Sequence, residues 1–319
     1  MKKMILTRKN FLSPVWRKDF NRAVFANKTI GLSINEESLG VIDDKSITYK
    51  YNSDSFRSEE FTSKHTGMHV LFAGCSSTAG TACKYEDVWA KLVYDEISKT
   101  KKISGYFNLG LAGASVDAVY KNILIYISKY SKPDLICMIL PDPYRYFKYL
   151  KEFETWHLAG CVKYKNKIID DVWGRRRGEQ DAVSLEPGSK RKNIKYIKNS
   201  KVFSKKIKEK DFLSDEKIID LQLHYFYQIQ NIEMVCKSFG INLIWSTWDT
   251  DSARSIKNSQ IYDNFISITD EDEIIEYFTN SKTEKTNTSF VLRDGIHHGT
   301  EYHKYWSKKF LDKFNEMTT

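Results

Sequence analysis

Short apolar segments alternate along the chain with longer amphipathic ones, and this alternation restricts the possible folds more than any other feature. Four of the short segments are rich in β-branched or aromatic residues, and most end at Gly, Ser or Pro, as buried strands do. These segments are 68–73, 105–109, 135–140 and 241–246. Strands that alternate with helices form right-handed crossovers and a parallel sheet covered on both faces. We therefore expect an α/β fold: a three-layer α/β/α sandwich with a short parallel sheet.

Three segments between these strands predict helices. The clearest runs from Asp215 to about Phe239, after a serine that can cap its first turn and before a glycine that can end it. The others are 86–99 and 115–129. Ligands of such sheets bind at the carboxyl ends of the strands. The loops to inspect are therefore 74–80, 110–115, 141–147 and the one after the last strand.

The excess positive charge is concentrated in one segment. The 319 residues carry 50 Lys and Arg against 41 Asp and Glu, and 188–210 alone holds ten basic residues and one acidic residue, which accounts for the whole formal charge of +9. We interpret 151–213 as a basic insertion or lid on an α/β domain that spans 66–319, and 1–65 as an arm that packs on that domain or on a partner. The basic run is either a solvated face or a contact for a polyanion.

Cysteine usage and hydropathy set the class of protein. The five cysteines include no close pair, which favours a reducing compartment. No apolar stretch approaches the ~20 residues of a bilayer crossing, and the apolar run at the start is too short for a secretory signal. We expect a cytoplasmic protein with no membrane span and no secretory signal.

The first predicted strand leads directly into Gly-Cys-Ser-Ser-Thr-Ala-Gly at 74–80. Small residues let the backbone turn sharply, and a serine between strand and helix presents its hydroxyl and its amide, so Ser76 is a candidate nucleophile. The alternative is a phosphate-binding or merely structural turn. We expect Cys75 to be a small buried thiol that supports the loop.

The second predicted strand is followed by Gly-Leu-Ala-Gly at 110–113, again before a helix. Its two glycines leave backbone N–H groups unobstructed, as an oxyanion requires. A dinucleotide-type turn is the common alternative, but the third glycine of that pattern is missing.

Near the C-terminus, Asp294 and His297 are separated by two residues. A carboxylate at this spacing can orient an imidazole that acts as a base, which is the relay that a serine nucleophile needs. Metal binding by these two residues with His298 and His303 is the rival interpretation. No second cluster of ligands occurs at comparable density, so we predict neither a metal nor a cofactor.

In this order, the three motifs resemble the SGNH (GDSL-like) hydrolase family, with Gly74-Cys75-Ser76 where the family usually has Gly-Asp-Ser. The resemblance implies a flavodoxin-like α/β sandwich and a catalytic triad of Ser76, His297 and Asp294. It also implies an oxyanion hole formed by the amides of Ser76 and Gly113. The variant with cysteine is one that we associate with bacteriophages of aquatic bacteria, which would place the protein in the host cytoplasm or in the virion.

One motif departs from the family. Its third block supplies an Asn that donates to the oxyanion, whereas Pro-Asp-Pro-Tyr-Arg follows the third strand here, at 141–145. Loss of one such donor costs ~10²–10³ in turnover. Either Arg145 or another side chain replaces the Asn, or the protein is a slow or inactive member.

The resemblance implies a serine esterase or deacylase that acts on O-acyl groups, such as O-acetyl groups, of a carbohydrate. Arg145, Trp156 and His157 are the candidate substrate contacts. A second hypothesis is a weak or inactive structural protein, such as a virion component, that meets an assembly partner through 1–65. A third is a nucleic-acid-binding protein that uses 188–210.

Overall fold

The structure is a computed structural model, and it describes part of the chain. The described residues are 33–35, 48–54, 56–81, 83–150, 155–160, 162–164, 167–169, 214–259, 261–280 and 298–318. Most of the basic segment 151–213, the whole of 188–210, and Asp294 and His297 lie outside these ranges.

The described helices and strands follow the predicted alternation. The strands are β1 (Ser33–Asn35), β2 (Thr48–Lys50), β3 (Val70–Gly74), β4 (Phe107–Gly110), β5 (Leu135–Leu140), β6 (Arg145–Leu150), β7 (Thr155–Gly160), β8 (Val162–Tyr164), β9 (Lys167–Ile169) and β10 (Asn242–Thr247). The helices are α1 (Ser76–Ala79), α2 (Trp89–Ser98), α3 (Val116–Lys129), α4 (Asp215–Phe239), α5 (Thr250–Ser259), α6 (Glu271–Asn280) and α7 (Thr300–Thr318).

Four of the strands form a parallel sheet in the order β10-β5-β3-β4. This is the order of flavodoxin-like doubly wound sheets, in which the chain starts in the middle and reverses direction once. The remaining described strands form three antiparallel pairs, β1 with β2, β6 with β7 and β8 with β9. The predicted α/β fold with a parallel sheet is confirmed.

The sheet buries both of its faces, which gives the three layers. Alternate residues of a strand point to opposite faces, so Leu71 packs in a cluster with residues of α3 and α4, and Phe72 packs in a second cluster with residues of α2 and α7. The two clusters are separate, and all four strands are almost fully buried. Such burial explains why the strands are near-continuous apolar runs.

Capping residues set the ends of the longest helix as predicted. The Ser214 hydroxyl accepts a hydrogen bond from the backbone N–H of Lys217, and Gly240 adopts a left-handed conformation with φ 61° just past Phe239. Among the described residues, no helix combines the length and the apolarity that a bilayer crossing requires.

Candidate active site

The loop between β3 and α1 turns sharply because of Gly74. Gly74 has φ 153°, and a Cβ atom there would collide with the side chain of Thr78 and the backbone carbonyl of Ile139. Ile139 is also the partner of Gly74 in the sheet. Glycine at this position therefore holds the loop tightly against the end of β5.

Ser76 is the first residue of α1, and it retains a small accessible surface. The residue is 8% exposed, and neither its hydroxyl nor its backbone N–H has a hydrogen-bond partner among the described residues. Thr78, two residues later, instead donates its hydroxyl to the carbonyl of Ala73 at 3.4 Å. The two side chains are thus used differently: Thr78 fastens the loop, and the Ser76 hydroxyl is available to another group.

Cys75 is fully buried beside Ser76. Its sulfur accepts a hydrogen bond from the indole Nε1 of Trp248 at 3.3 Å. The expectation of a buried thiol is confirmed. Because an inaccessible thiol cannot reach a substrate, Ser76 is the only one of these two neighbours placed to act as a nucleophile.

The second glycine loop lies directly against the serine loop. Gly110 is the sheet partner of Gly74, and a Cβ atom at Gly110 would collide with the backbone of Thr78 and Ala79. Asn108 reinforces this approach: its side-chain amide donates to the carbonyl of Thr78 at 2.8 Å, and its side-chain oxygen accepts from the N–H of Gly110 at 2.7 Å. The two loops are therefore in direct contact and are hydrogen-bonded to each other.

Gly113 follows in the same loop, just before α3. It adopts φ 77°, a left-handed conformation that favours glycine. Its N–H has no acceptor in the part of the chain that the structure describes, whereas the next N–H, of Ala114, donates to the carbonyl of Leu111. Gly113 thus offers a donor at the same edge of the sheet as Ser76.

The third loop carries an aspartate and an arginine that are paired with each other. Asp142 accepts from Arg145 Nε at 2.9 Å and from the backbone N–H of Tyr144 at 3.1 Å. Burial raises the pKa of Asp142, the cation of Arg145 opposes this shift, and the neighbouring Asp249 adds to it. The loop after β5 therefore carries an Asp–Arg pair at the carboxyl edge of the sheet.

The loop after β10 contributes a group that the sequence analysis did not identify. The ring of Trp248 lies beneath the Arg145 guanidinium, with 5.1 Å between the guanidinium carbon and the ring centroid. Asp249 accepts from the backbone N–H of Ser252 and so caps the first turn of α5. A tryptophan after a strand is commonly a core residue, so the only available signal was its position at the carboxyl end of the last predicted strand.

The structure describes some of the other predicted site residues and not others. Asp294 and His297 lie outside the described residues. Trp156 and His157 lie on β7, paired with Tyr149 and Lys148 of β6, the strand that begins at Arg145.

The other two histidines of the C-terminal motif, His298 and His303, pack against neighbouring residues of the fold. His303 is buried, and its Nδ1 accepts from the backbone N–H of Trp89 at 3.1 Å, at the start of α2. The ring of His298 packs on Tyr302 and Trp306. Within the described ranges, no three His, Cys, Asp or Glu side chains lie close enough together to hold a metal ion.

Comparisons with known proteins add little to this geometry. No protein-family model matches the chain, and no curated protein matches it. A solved structure of a candidate acylhydrolase from Bacteroides fragilis is similar to this chain at 13% sequence identity with a TM-score of 0.35, over 78% of this chain and 88% of that one. A similarity this distant carries no argument about a site or an activity.

Proposed function

We propose that this protein is a serine hydrolase that cleaves ester bonds, with Ser76 as its nucleophile. The observation that carries this proposal is the state of Ser76. Its hydroxyl and N–H are left without partners among the described residues, at the carboxyl edge of a parallel sheet where such folds bind ligands. Its neighbours Cys75 and Thr78 have partners.

In the proposed mechanism, His297 takes the proton of the Ser76 hydroxyl as the oxygen attacks the ester carbonyl. Asp294 orients the imidazole and stabilises its protonated form. The imidazolium then protonates the departing alcohol, and a water molecule that the same base activates hydrolyses the acyl-enzyme. Support for these two residues comes from their spacing and from the family resemblance.

The N–H groups of Ser76 and Gly113 serve as the oxyanion donors in this proposal. Both belong to loops that glycines hold in close contact, so the donors are fixed before the substrate arrives. Preorganised donors stabilise the tetrahedral intermediate without a reorganisation cost during the reaction. The third donor of the family is absent, and we expect a turnover below that of members with the Asn.

The finer substrate assignment, removal of O-acetyl groups from a carbohydrate, depends on the family resemblance alone. Trp156 and His157 remain candidate contacts with the sugar. A cytoplasmic location in an infected host, or a place in the virion, is part of the same hypothesis.

A second candidate function is a structural or binding protein that has kept the fold and lost catalysis. The observation that favours it is the third loop, where Asp142 is paired with Arg145 and no Asn is present. A polyanion contact through 188–210 or an assembly contact through 1–65 would fit this function.

Hydrolysis of 4-nitrophenyl acetate by the purified full-length chain tests the proposal. Ser76→Ala should lower kcat/KM at least about 10³-fold, because removal of the nucleophile disables the whole triad. Ser77→Ala is the matched control, since Ser77 is a similarly buried serine in the same helix. Equal activity of the wild type and Ser76→Ala would exclude the proposal, and a wild type with no activity at all would favour the second candidate.

A further inference from the structure

Arg145 is held rigidly at one end of its guanidinium group. Its Nε donates to Asp142 Oδ2 at 2.9 Å, and Asp142 is itself fixed by the N–H of Tyr144. The side chains of Arg145 and Asp142 are only 20% and 13% exposed, respectively. The hydroxyl of Tyr144 accepts from Gln222 of α4 at 3.2 Å, which fastens this loop to the neighbouring helix.

Trp248 links this arginine to the serine loop. One face of the indole supports the guanidinium, and the indole Nε1 donates to the sulfur of Cys75, the residue before Ser76. Stacking of a guanidinium on an aromatic face is favourable and is stronger where water is excluded. The cation is therefore held by contacts with two different loops, and Trp248 connects it to the residue that precedes the candidate nucleophile.

The outer end of the guanidinium has no acceptor among the described residues. Arg145 donates through Nε, and in the described part of the chain its two Nη atoms, with four N–H donors, have no acceptor. The other carboxylate in this region, Asp249, is engaged by the N–H of Ser252. A guanidinium fork of this kind matches the two oxygens of a carboxylate, and such bidentate pairs are stronger than ordinary hydrogen bonds.

We propose that Arg145 is a binding site for a carboxylate carried by the substrate, so that the hydrolase prefers esters of acidic molecules over neutral ones. Asp142 and Trp248 are the positioning residues of this site, because one fixes Nε and the other supports the plane of the guanidinium. This inference rests on the proposed function for its place in catalysis. The binding it predicts can be measured without turnover.

The kinetic test compares two esters of the same shape, 4-acetoxybenzoate and its neutral isostere 4-acetoxybenzamide. We expect the wild type to have a higher kcat/KM for the carboxylate. The ratio of the two kcat/KM values should fall at least about tenfold in Arg145→Gln, because a charge-assisted bidentate pair is lost. Lys129→Gln, which removes a cation from the opposite edge of the sheet, should leave the ratio unchanged. An unchanged ratio in Arg145→Gln would overturn the inference.

The removal of Arg145 leaves Asp142 buried without its partner, so a folding defect must be separated from a binding defect. The double variant Asp142→Asn/Arg145→Gln removes both charges and should show the same fall in the ratio. Arg145→Lys keeps the charge without the planar fork, and we expect it to restore only part of the preference. A Lys variant with the full wild-type ratio would contradict bidentate recognition.

The binding test uses Ser76→Ala, which cannot turn the esters over if the proposed function is correct. Titration calorimetry should show binding of 4-acetoxybenzoate that is at least about tenfold tighter than that of the amide. This difference should disappear when Arg145→Gln is added. Equal affinities for the two compounds, or no binding of the carboxylate, would overturn the inference even if the esterase activity were established. Selective binding of the carboxylate by a wild type that hydrolyses neither ester would support the inference and reject the proposed function.

Discussion

Two pairs of polar residues, one pair at each edge of the central sheet, are in different states. At the amino edge, where β3 and β5 begin, His65 and His69 are bound to other protein groups. At the carboxyl edge, the hydroxyl of Ser76 and the Nη atoms of Arg145 have no partner among the described residues. Since the same strands support both edges, the difference is not one of scaffold rigidity. It separates polar groups that stabilise the fold from polar groups that are available to a ligand.

The two histidines of the amino edge make several contacts with other protein groups. The rings of His65 and His69 are stacked with 3.7 Å between their centroids. His69 Nε2 lies 2.8 Å from the hydroxyl of Tyr126, and His65 Nε2 lies 2.7 Å from the hydroxyl of Ser131. The backbone N–H of His69 donates to Asp134. We assign this edge to stability.

The strongest loss of activity should come from a substitution at the proposed catalytic base. His297→Ala should lower kcat/KM for 4-nitrophenyl acetate at least about 10³-fold, because the serine loses its base. Thermal unfolding should change little, since the proposed role of His297 is chemical. Steady-state kinetics and a melting curve of the same preparation check this together. An active His297→Ala variant would assign the base to another residue.

The next effect is the pH dependence that the stacked histidines give to the amino edge. Burial, and then the adjacent His65, lower the pKa of His69 from 6.5 to about 4. Between these values the unfolded chain binds a proton that the folded chain does not. The contribution of neutral His69 to the free energy of unfolding is therefore fully present above about pH 6.5 and is lost as the pH falls towards about 4. The full loss is on the order of 3 kcal/mol.

Urea unfolding of the wild type and His69→Gln between pH 7 and pH 4 measures this contribution. The Gln side chain does not titrate in this range, so the wild type should lose more of its free energy of unfolding than the variant does. If the free energies of unfolding of the two proteins changed in parallel with pH, the pKa of His69 would not be lowered in the folded protein. A loss of esterase activity in His69→Gln at pH 7, without unfolding, would break the assignment of this edge to stability alone.

A smaller effect should come from the close approach of the two loops at the carboxyl edge. Gly110→Ala places a methyl group against the backbone of Thr78 and Ala79, and we expect a loss of about 1–3 kcal/mol in the free energy of unfolding. Activity should fall as well, because the shift displaces the Ser76 loop. Urea unfolding and kinetics of the same samples provide the measurement.

Gly240→Ala is the control for this variant. Gly240 has φ 61°, but a Cβ atom there would meet only the amine of Lys132 at 3.8 Å. The free energy of unfolding should fall by about 1–2 kcal/mol, because alanine is strained in the left-handed conformation. Activity should not change. Equal activity losses in the two variants would show that the loop contact is unimportant for the site.

Much of the scaffold could be predicted from sequence because its signals are local. The bounds of β5 and α4 match the predicted 135–140 and 215–239. For α4 this reflects the capping serine and the terminal glycine, which act within one turn. The start of β3 was predicted two residues early. Met68 makes only an isolated bridge with Ile103, and the side chain of His69 lies against Tyr126 rather than in a core cluster.

The details of the site could be predicted only in part. Small residues at the ends of strands identified the Ser76 and Gly113 loops, because backbone geometry demands glycine there. The support that Trp248 gives to both Cys75 and Arg145 could not be predicted. Trp248 lies 173 positions after Cys75 in the sequence, and only the sheet brings them together. The roles of Asp294 and His297 remain predictions.

Covalent labelling with a fluorophosphonate tests whether Ser76 is a nucleophile, because this reagent reacts with a serine only when the side chain is activated. Peptide mapping by mass spectrometry should find one modified residue, Ser76, in the wild type, unmodified protein in Ser76→Ala, and wild-type labelling in Ser77→Ala. A wild type that takes up no label, or one that is labelled equally when Ser76 is replaced, would contradict the account.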